Sequence, residues 1–198
     1  AAHPFTQVVI CDDGLQHYGL ARDIEIAVED ERGHGNGLML PAGPLREPAS
    51  RSVDATIVNA GEDVPLPLRS GPVMRMRLVP GALRRVGGAQ AGLALDVASL
   101  AGKRLHALAG IGNPQRFFAT LRAMGLAAQA HVFPDHHAFT SADLDFPDCD
   151  AILMTEKDAV KCRSFARDDL IALSVDAQPD PALVNLILKA LPNGLPPA

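Results

Sequence analysis

The sequence predicts an α/β protein with a mostly parallel sheet, on three observations. From residue 103 onward, short apolar runs alternate with segments bearing helix start and stop signals, the order expected when crossover helices link parallel strands. Near the start, Val8-Val9-Ile10 is apolar throughout, the mark of an inner strand covered on both faces. Near residues 73–86, apolar and basic residues alternate instead, which predicts a half-exposed two-stranded β ribbon.

Val8-Val9-Ile10 is the first strand candidate, and it runs directly into Cys11-Asp12-Asp13-Gly14. Ile24 to Val28 is the next, followed by Arg32-Gly33-His34-Gly35-Asn36-Gly37, where glycines permit positive φ and close approach by a ligand or backbone. Leu40-Pro41-Ala42-Gly43-Pro44-Leu45-Arg46-Glu47-Pro48 is a proline-stiffened loop, and Asp54 to Asn59 reads as a buried strand. In the ribbon, Val73 to Leu78 is the first strand, Pro80-Gly81 the turn, and Ala82 to Val86 the return. The basic side chains of its open face suit either solvent or an anion.

Leu105 to Ala109 is then a strand, and Gly110-Ile111-Gly112-Asn113 turns into a helix with Asn113 as N-cap and Pro114 at the first position. Gly125 ends that helix. Ala128 to Phe133 and Ala151 to Met154 are strands, with Ser141 capping a short helix between them. Thr155-Glu156-Lys157-Asp158 resembles a capping box with Asp in place of Glu or Gln. Leu170 to Val175 is a further strand, and a last helix runs from Pro181 through Leu191 until Pro192-Asn193-Gly194 stops it. Three segments result: a first α/β segment over 1–60, a linker with the ribbon over 61–102, and a second α/β domain over 103–198.

The 198 residues, 47% of them hydrophobic, suffice for one large or two small cores. A net charge of −5 gives no reason to expect a nucleic-acid surface. Cys11, Cys149 and Cys162 are scattered, without metal-ligand spacing, and read as apolar filler in a reducing compartment. No apolar run reaches the roughly 18 residues that span a bilayer. The first residue is Ala and a core strand candidate follows at once, so we expect a piece of a longer protein.

Two carboxylates at a strand tip repel each other unless a cation, a proton or hydrogen bonds offset them. Asp12 and Asp13 therefore suit a magnesium ion bridging nucleotide phosphates, although Asp-Gly is equally ordinary turn punctuation. Gly110-Ile111-Gly112 lacks the third glycine of a dinucleotide-binding turn. Asp135-His136-His137 sets a carboxylate beside two imidazoles, a combination that tunes proton transfer or simply sits in solvent. There is neither zinc spacing nor a G-x-S-x-G elbow.

Several of these stretches, in this order, resemble one family. Asp12-Asp13-Gly14-Leu15-Gln16-His17, Leu20-Ala21-Arg22-Asp23, Gly35-Asn36-Gly37 and Leu40 to Pro48 are similar to blocks of tetraacyldisaccharide 4'-kinase, the lipid A kinase of Gram-negative bacteria. Ala109 to Pro114, Phe133-Pro134-Asp135-His136 and Thr155 to Lys161 continue the match. The resemblance implies a P-loop-type sheet domain, here partial, and a second α/β domain joined to it by a two-stranded β ribbon, with the site in the cleft between them. It implies transfer of the γ-phosphoryl of ATP to the 4'-hydroxyl of tetraacyldisaccharide 1-phosphate, giving lipid IVA, with Mg2+ as the metal. The lipid A disaccharide precursor is then the substrate, and the enzyme sits on the cytoplasmic face of the inner membrane through an N-terminal part.

By the same resemblance Asp12 and Asp13 hold magnesium, and His136 is the catalytic histidine. Arg46 meets phosphate charge, and Gln16, His17 and Asn36 join the substrate- and phosphate-binding candidates. His34, His137 and the Thr155–Lys157 stretch have no assigned role. No G-x-x-x-x-G-K-[ST] phosphate loop occurs in the sequence, nor the family's upstream base aspartate. The expectation is the carboxyl-terminal part of such a kinase, inactive alone. The alternative is a non-catalytic α/β module that binds sugar phosphates.

Overall fold

The computed structural model describes residues 6–191. The first strands are β1 (Ile26–Asp30), β2 (Ala55–Asn59), β3 (Val73–Arg85) and β4 (Ala94–Leu95). Then follow β5 (Leu105–Ala109), α1 (Pro114–Ala123), β6 (Ala128–Val132), β7 (Ala151–Thr155), α2 (Glu156–Cys162), β8 (Leu170–Pro179) and α3 (Ala182–Ala190). β1–β2, β2–β3, β5–β6, β5–β7 and β7–β8 are parallel, so the mostly parallel α/β class holds.

The chain divides into two compact units, one of residues up to Arg77 and from Ala177 on, the other Leu78–Asp176. The chain crosses between them within β3 and again within β8, so α3 belongs to the first unit rather than to the segment that begins at 103.

In the second unit the reason for unbroken apolar strands is visible. Leu105, Ala107 and Ala109 of β5, with Leu153 and Ile171, pack against Phe117, Phe118 and Leu121 of α1. The alternate positions Leu108, Ile152, Met154 and Leu170 pack on the other face with Ala159 and Cys162 of α2. Period-two alternation thus sends the apolar side chains of β5, β7 and the first half of β8 into one of two apolar layers. Burial pushes the Cys162 thiol up to about 11, as befits filler rather than a nucleophile. In the first unit, α3 covers one face only: Leu183, Leu186 and Ile187 meet Ile57, Met74, Ile26 and Met76.

Three expectations are corrected. Val8, Val9 and Ile10 form no strand and are exposed, Ile10 by 90%. Strand-forming residues adopt a strand only with a neighbour to share the ladder, and none pairs with them among the described residues. The two-stranded ribbon with a turn at Pro80-Gly81 is instead one continuous 13-residue strand, β3. Its neighbours are β2, the two-residue β4 and β8. Val86 N–H donates to the Leu170 carbonyl and Ser174 Oγ to that of Ala82, so β3 and β8 run antiparallel there. Gly81 serves close approach rather than a turn: a Cβ there would collide with the Ser174 hydroxyl. Finally, neither Asn113 nor Ser141 makes a side-chain cap bond, and Ser141 precedes only a three-residue 3-10 turn, Ala142–Leu144.

The other boundaries moved little, with β1 starting two residues later than expected and β8 extending to Pro179. The stop signal at Pro192-Asn193-Gly194 lies outside the described residues. No helix among the described residues is long and apolar enough to cross a membrane.

Candidate functional site

In the first unit the candidate residues sit on loops tied together by arginines. Asp12-Asp13 lies in a turn, with Asp13 in the left-handed region at φ 53°. Arg46 Nη1 donates to both Asp13 oxygens, at 2.7 and 2.5 Å. That hydrogen bond and the charge behind it hold the Asp13 carboxyl below its usual range, with a smaller contribution from His17. Arg46, expected to meet phosphate, therefore neutralises a carboxylate here. Asp12 is exposed and has no ion pair among the described residues.

Gln16 Nε2 donates to Glu47 Oε1 at 2.9 Å. Glu47 also binds Arg51, Arg51 binds Glu25 at 2.8 Å, and Arg22 binds Glu25 at 2.8 Å. Arg22 donates further to the carbonyls of Leu15 and His17. Burial would raise the Glu47 carboxyl, but hydrogen bonds from Arg51, Gln16 and Tyr18 outweigh it and hold it low. Gln16 and the His17 backbone are thus parts of a framework that fixes the Asp-Asp-Gly turn. Asn36 also works within its own loop: Nδ2 donates to the Ala42 carbonyl at 2.9 Å, and Oδ1 accepts from Leu38 N–H. His34 pairs with Glu29 at 2.8 Å, beside Arg69.

In the second unit, three of the sequence blocks converge at the carboxyl ends of β5, β6 and β7. Asp158, fully buried, is their centre. Its carboxylate accepts from Gly110 N–H at 3.0 Å, Thr155 Oγ1 at 2.7 Å and Lys161 Nζ at 3.0 Å. Asp158 N–H returns a bond to Thr155 Oγ1 at 3.2 Å, so the expected cap of α2 is formed. The carboxylate reaches across to the turn after β5 as well as back to the hydroxyl of its own cap. Gly110 is confined between three groups: a Cβ there would stand 3.2 Å from the Pro134 carbonyl oxygen, 3.3 Å from Asp158 Oδ1 and 3.4 Å from His137 Cβ. The Gly-Ile-Gly turn is therefore a close-packing device.

His136 and His137 face different surroundings. The His136 side chain is 92% exposed, and its nearest carboxylate, Asp135, stands 3.8 Å away. His136 adopts φ 60°, uncommon for a residue with a Cβ. His137 instead packs at a tilt against Phe133 and meets Phe139 edge-on, with Nε2 at 3.2 Å from Asp143 Oδ2. Asp143 accepts from Thr140 N–H at 2.8 Å and Thr140 Oγ1 at 2.7 Å. Those bonds, Thr140 first and then His137, hold the Asp143 carboxyl below its usual range. The carboxylate–imidazole pair read at Asp135-His136 is thus formed by Asp143 and His137. Sequence reading gave no role to Asp143, Lys161, Glu47, Arg51 and Arg22, and read Asp158 only as part of a helix cap. Only the Thr-x-x-Asp spacing signalled any of them: Gly110–Asp158, Gln16–Glu47 and Arg51–Glu25 join distant stretches, and Asp143 meets His137 across a short stretch with no regular spacing.

Among the described residues no group of three or more His, Cys, Asp or Glu could hold a metal. Two adjacent carboxylates are the oxygen donors a hard cation such as Mg2+ would take. Asp12 is available for this, and Asp13 would exchange Arg46 for the ion.

The family model for LpxK, tetraacyldisaccharide-1-P 4'-kinase, matches residues 1–192. The tetraacyldisaccharide 4'-kinase of Dechloromonas aromatica is 50% identical over 194 residues, covering 96% of this chain and 57% of that protein. That of Methylobacillus flagellatus is 50% identical over 192 residues, 96% of this chain and 55% of the relative. The Pseudomonas aeruginosa LESB58 enzyme is 52% identical over 181 residues, 89% of this chain and 52% of its own. The chain thus spans somewhat more than half the length of these curated relatives. A crystal structure of LpxK from Aquifex aeolicus, described as an apo form in complex with ATP, superposes with TM-score 0.69 at 24% identity. It covers 90% of this chain and 56% of that one, a likeness of fold.

Proposed function

The chain belongs to the tetraacyldisaccharide-1-P 4'-kinase family, and on that premise we propose that it is the carboxyl-terminal part of an ATP-dependent kinase of lipid A biosynthesis. The acceptor is the 4'-hydroxyl of tetraacyldisaccharide 1-phosphate and the product lipid IVA. Identity of 50% with a tetraacyldisaccharide 4'-kinase along 96% of the chain carries this reading. The full-length protein works at the cytoplasmic face of the inner membrane, where its acylated acceptor resides.

Phosphoryl transfer is catalysed mainly by positioning and charge stabilisation. Asp12 and Asp13 hold Mg2+, which when bound offsets charge on the nucleotide phosphates. With Mg2+ on those two carboxylates, Arg46, which pairs with Asp13 here, would be free to meet phosphate oxygens. The fixed loop behind them, Gln16 to Glu47 to Arg51, keeps both carboxylates on one turn. In the reaction the acceptor oxygen bonds to the γ-phosphorus, the bond to ADP breaks, and the hydroxyl proton must leave. His136, with its ring in solvent, serves the acceptor side of that transfer.

The 198-residue sequence contains no phosphate loop, so the chain alone is expected to be inactive. The test is phosphorylation of tetraacyldisaccharide 1-phosphate with ATP and Mg2+ by the full-length protein, by the isolated chain and by full-length Asp12→Ala. Turnover by the first alone supports the proposal; an active isolated chain, or an Asp12→Ala variant as fast as wild type, contradicts it.

A further inference from the structure

We infer that His137 is a positioning residue for His136, an inference that rests on the acceptor-side role proposed above. The two histidines are consecutive, yet the fold treats them in opposite ways. His136 makes no side-chain hydrogen bond among the described residues; only its backbone N–H is held, by Asp135 Oδ1 at 3.0 Å. Packing therefore does not fix the direction of its imidazole. The backbone sets where its Cβ leaves the chain, through the left-handed conformation at φ 60°. Such a conformation in a residue with a Cβ persists only where the surroundings over-determine it.

The next residue supplies that determination. His137 N–H closes the turn on the Pro134 carbonyl at 3.1 Å. Its ring lies 4.8 Å from Phe133 and 4.9 Å from Phe139 between centroids, and Nε2 reaches Asp143. Asp143 cannot follow a moving ring, because Thr140 already binds it through two donors. The floor is equally fixed, since Gly110 beneath His137 is bonded to buried Asp158. Phe139 in turn lies under the Lys161 ammonium at 5.5 Å, and Lys161 pairs with the same Asp158. His137 is thus held at its backbone, by two aromatic rings and at one ring nitrogen, and His136 is what the clamp projects. Loosening it would let the His136 imidazole wander by the ångström or so that costs rate in a positioned reaction.

The experiment is steady-state kinetics of the full-length kinase with tetraacyldisaccharide 1-phosphate and ATP. The variants are His136→Ala, His137→Phe, Asp143→Asn and the double variant His136→Ala/His137→Phe. His137→Phe keeps the ring packing and removes the bond to Asp143; Asp143→Asn loosens that bond from the other side without touching the turn. Each is expected to lower kcat about 10-fold with KM for ATP unchanged. In the His136→Ala background, His137→Phe is expected to cost nothing further. Wild-type kcat in both His137→Phe and Asp143→Asn, or an undiminished loss in the double variant, overturns the inference while leaving His136 its role. Wild-type kcat in His136→Ala overturns the role itself and the inference with it. A His137→Phe protein that fails to fold leaves Asp143→Asn, singly and with His136→Ala, to decide the matter by the same criteria.

Discussion

Two carboxylates, Asp13 in the first unit and Asp158 in the second, are held in opposite ways. In the first, Asp13 is exposed on a loop and answered by Arg46, whose side chain is itself 57% exposed. In the second, Asp158 is inaccessible to solvent and answered by a backbone amide, a hydroxyl and an ammonium. A carboxylate paired in water exchanges partners at little cost, as binding of an ion requires. One that is buried and fully bonded cannot, and it serves to lock elements together. Both sit in blocks that mark the family, so membership in such a block does not separate chemistry from architecture.

The contrast should be largest in apolar contacts. Leu153→Ala, in a strand covered on both faces, is expected to cost about 3–4 kcal/mol in denaturant unfolding, whereas Ile10→Ala, at a 90% exposed residue, is expected to leave the midpoint in place. Equal effects would mean that Val8–Ile10 is packed after all. Next come the carboxylates themselves. Asp158→Ala strands three donors and should cost about 3 kcal/mol, while Asp13→Ala should not shift the unfolding midpoint. A tolerated Asp158→Ala would erase the distinction drawn between the two.

Gly81→Val drives a branched side chain at Ser174 and should destabilise by about 2 kcal/mol; a neutral result would place a turn there instead of a continuous strand. The smallest effect concerns pH. Burial, and then neighbouring His106, hold the His131 imidazole below its ordinary 6.5. The unfolded chain therefore takes up the proton first, so this contribution is complete above pH 6.5 and is lost as pH falls below it. His131→Phe, which keeps a ring for Phe146 to stack on, should flatten the acid side of the stability profile.

What could be read in advance follows a physical division. β5, α1, β7 and α2 were legible because their signals are local: an unbroken apolar run, Pro114 at a helix start, Thr155 three residues before Asp158. The pattern at 73–86 misled because Pro-Gly has two uses, and only a neighbouring strand tells close approach from a turn. Val8–Ile10 misled because apolar β-branched residues state a capacity to pair, and pairing needs a partner.

Chain order and residue type alone thus settled the α/β class, the family blocks and the candidates Asp12, Asp13, Arg46 and His136. Tertiary structure alone decided that Arg46 answers Asp13, that Asp158 ties two strand tips together, and that His137 rather than His136 meets a carboxylate. The first two depend on atoms brought within about 3 Å across dozens of residues, and the third on the fold of the irregular stretch between His137 and Asp143; no local pattern encodes either distance.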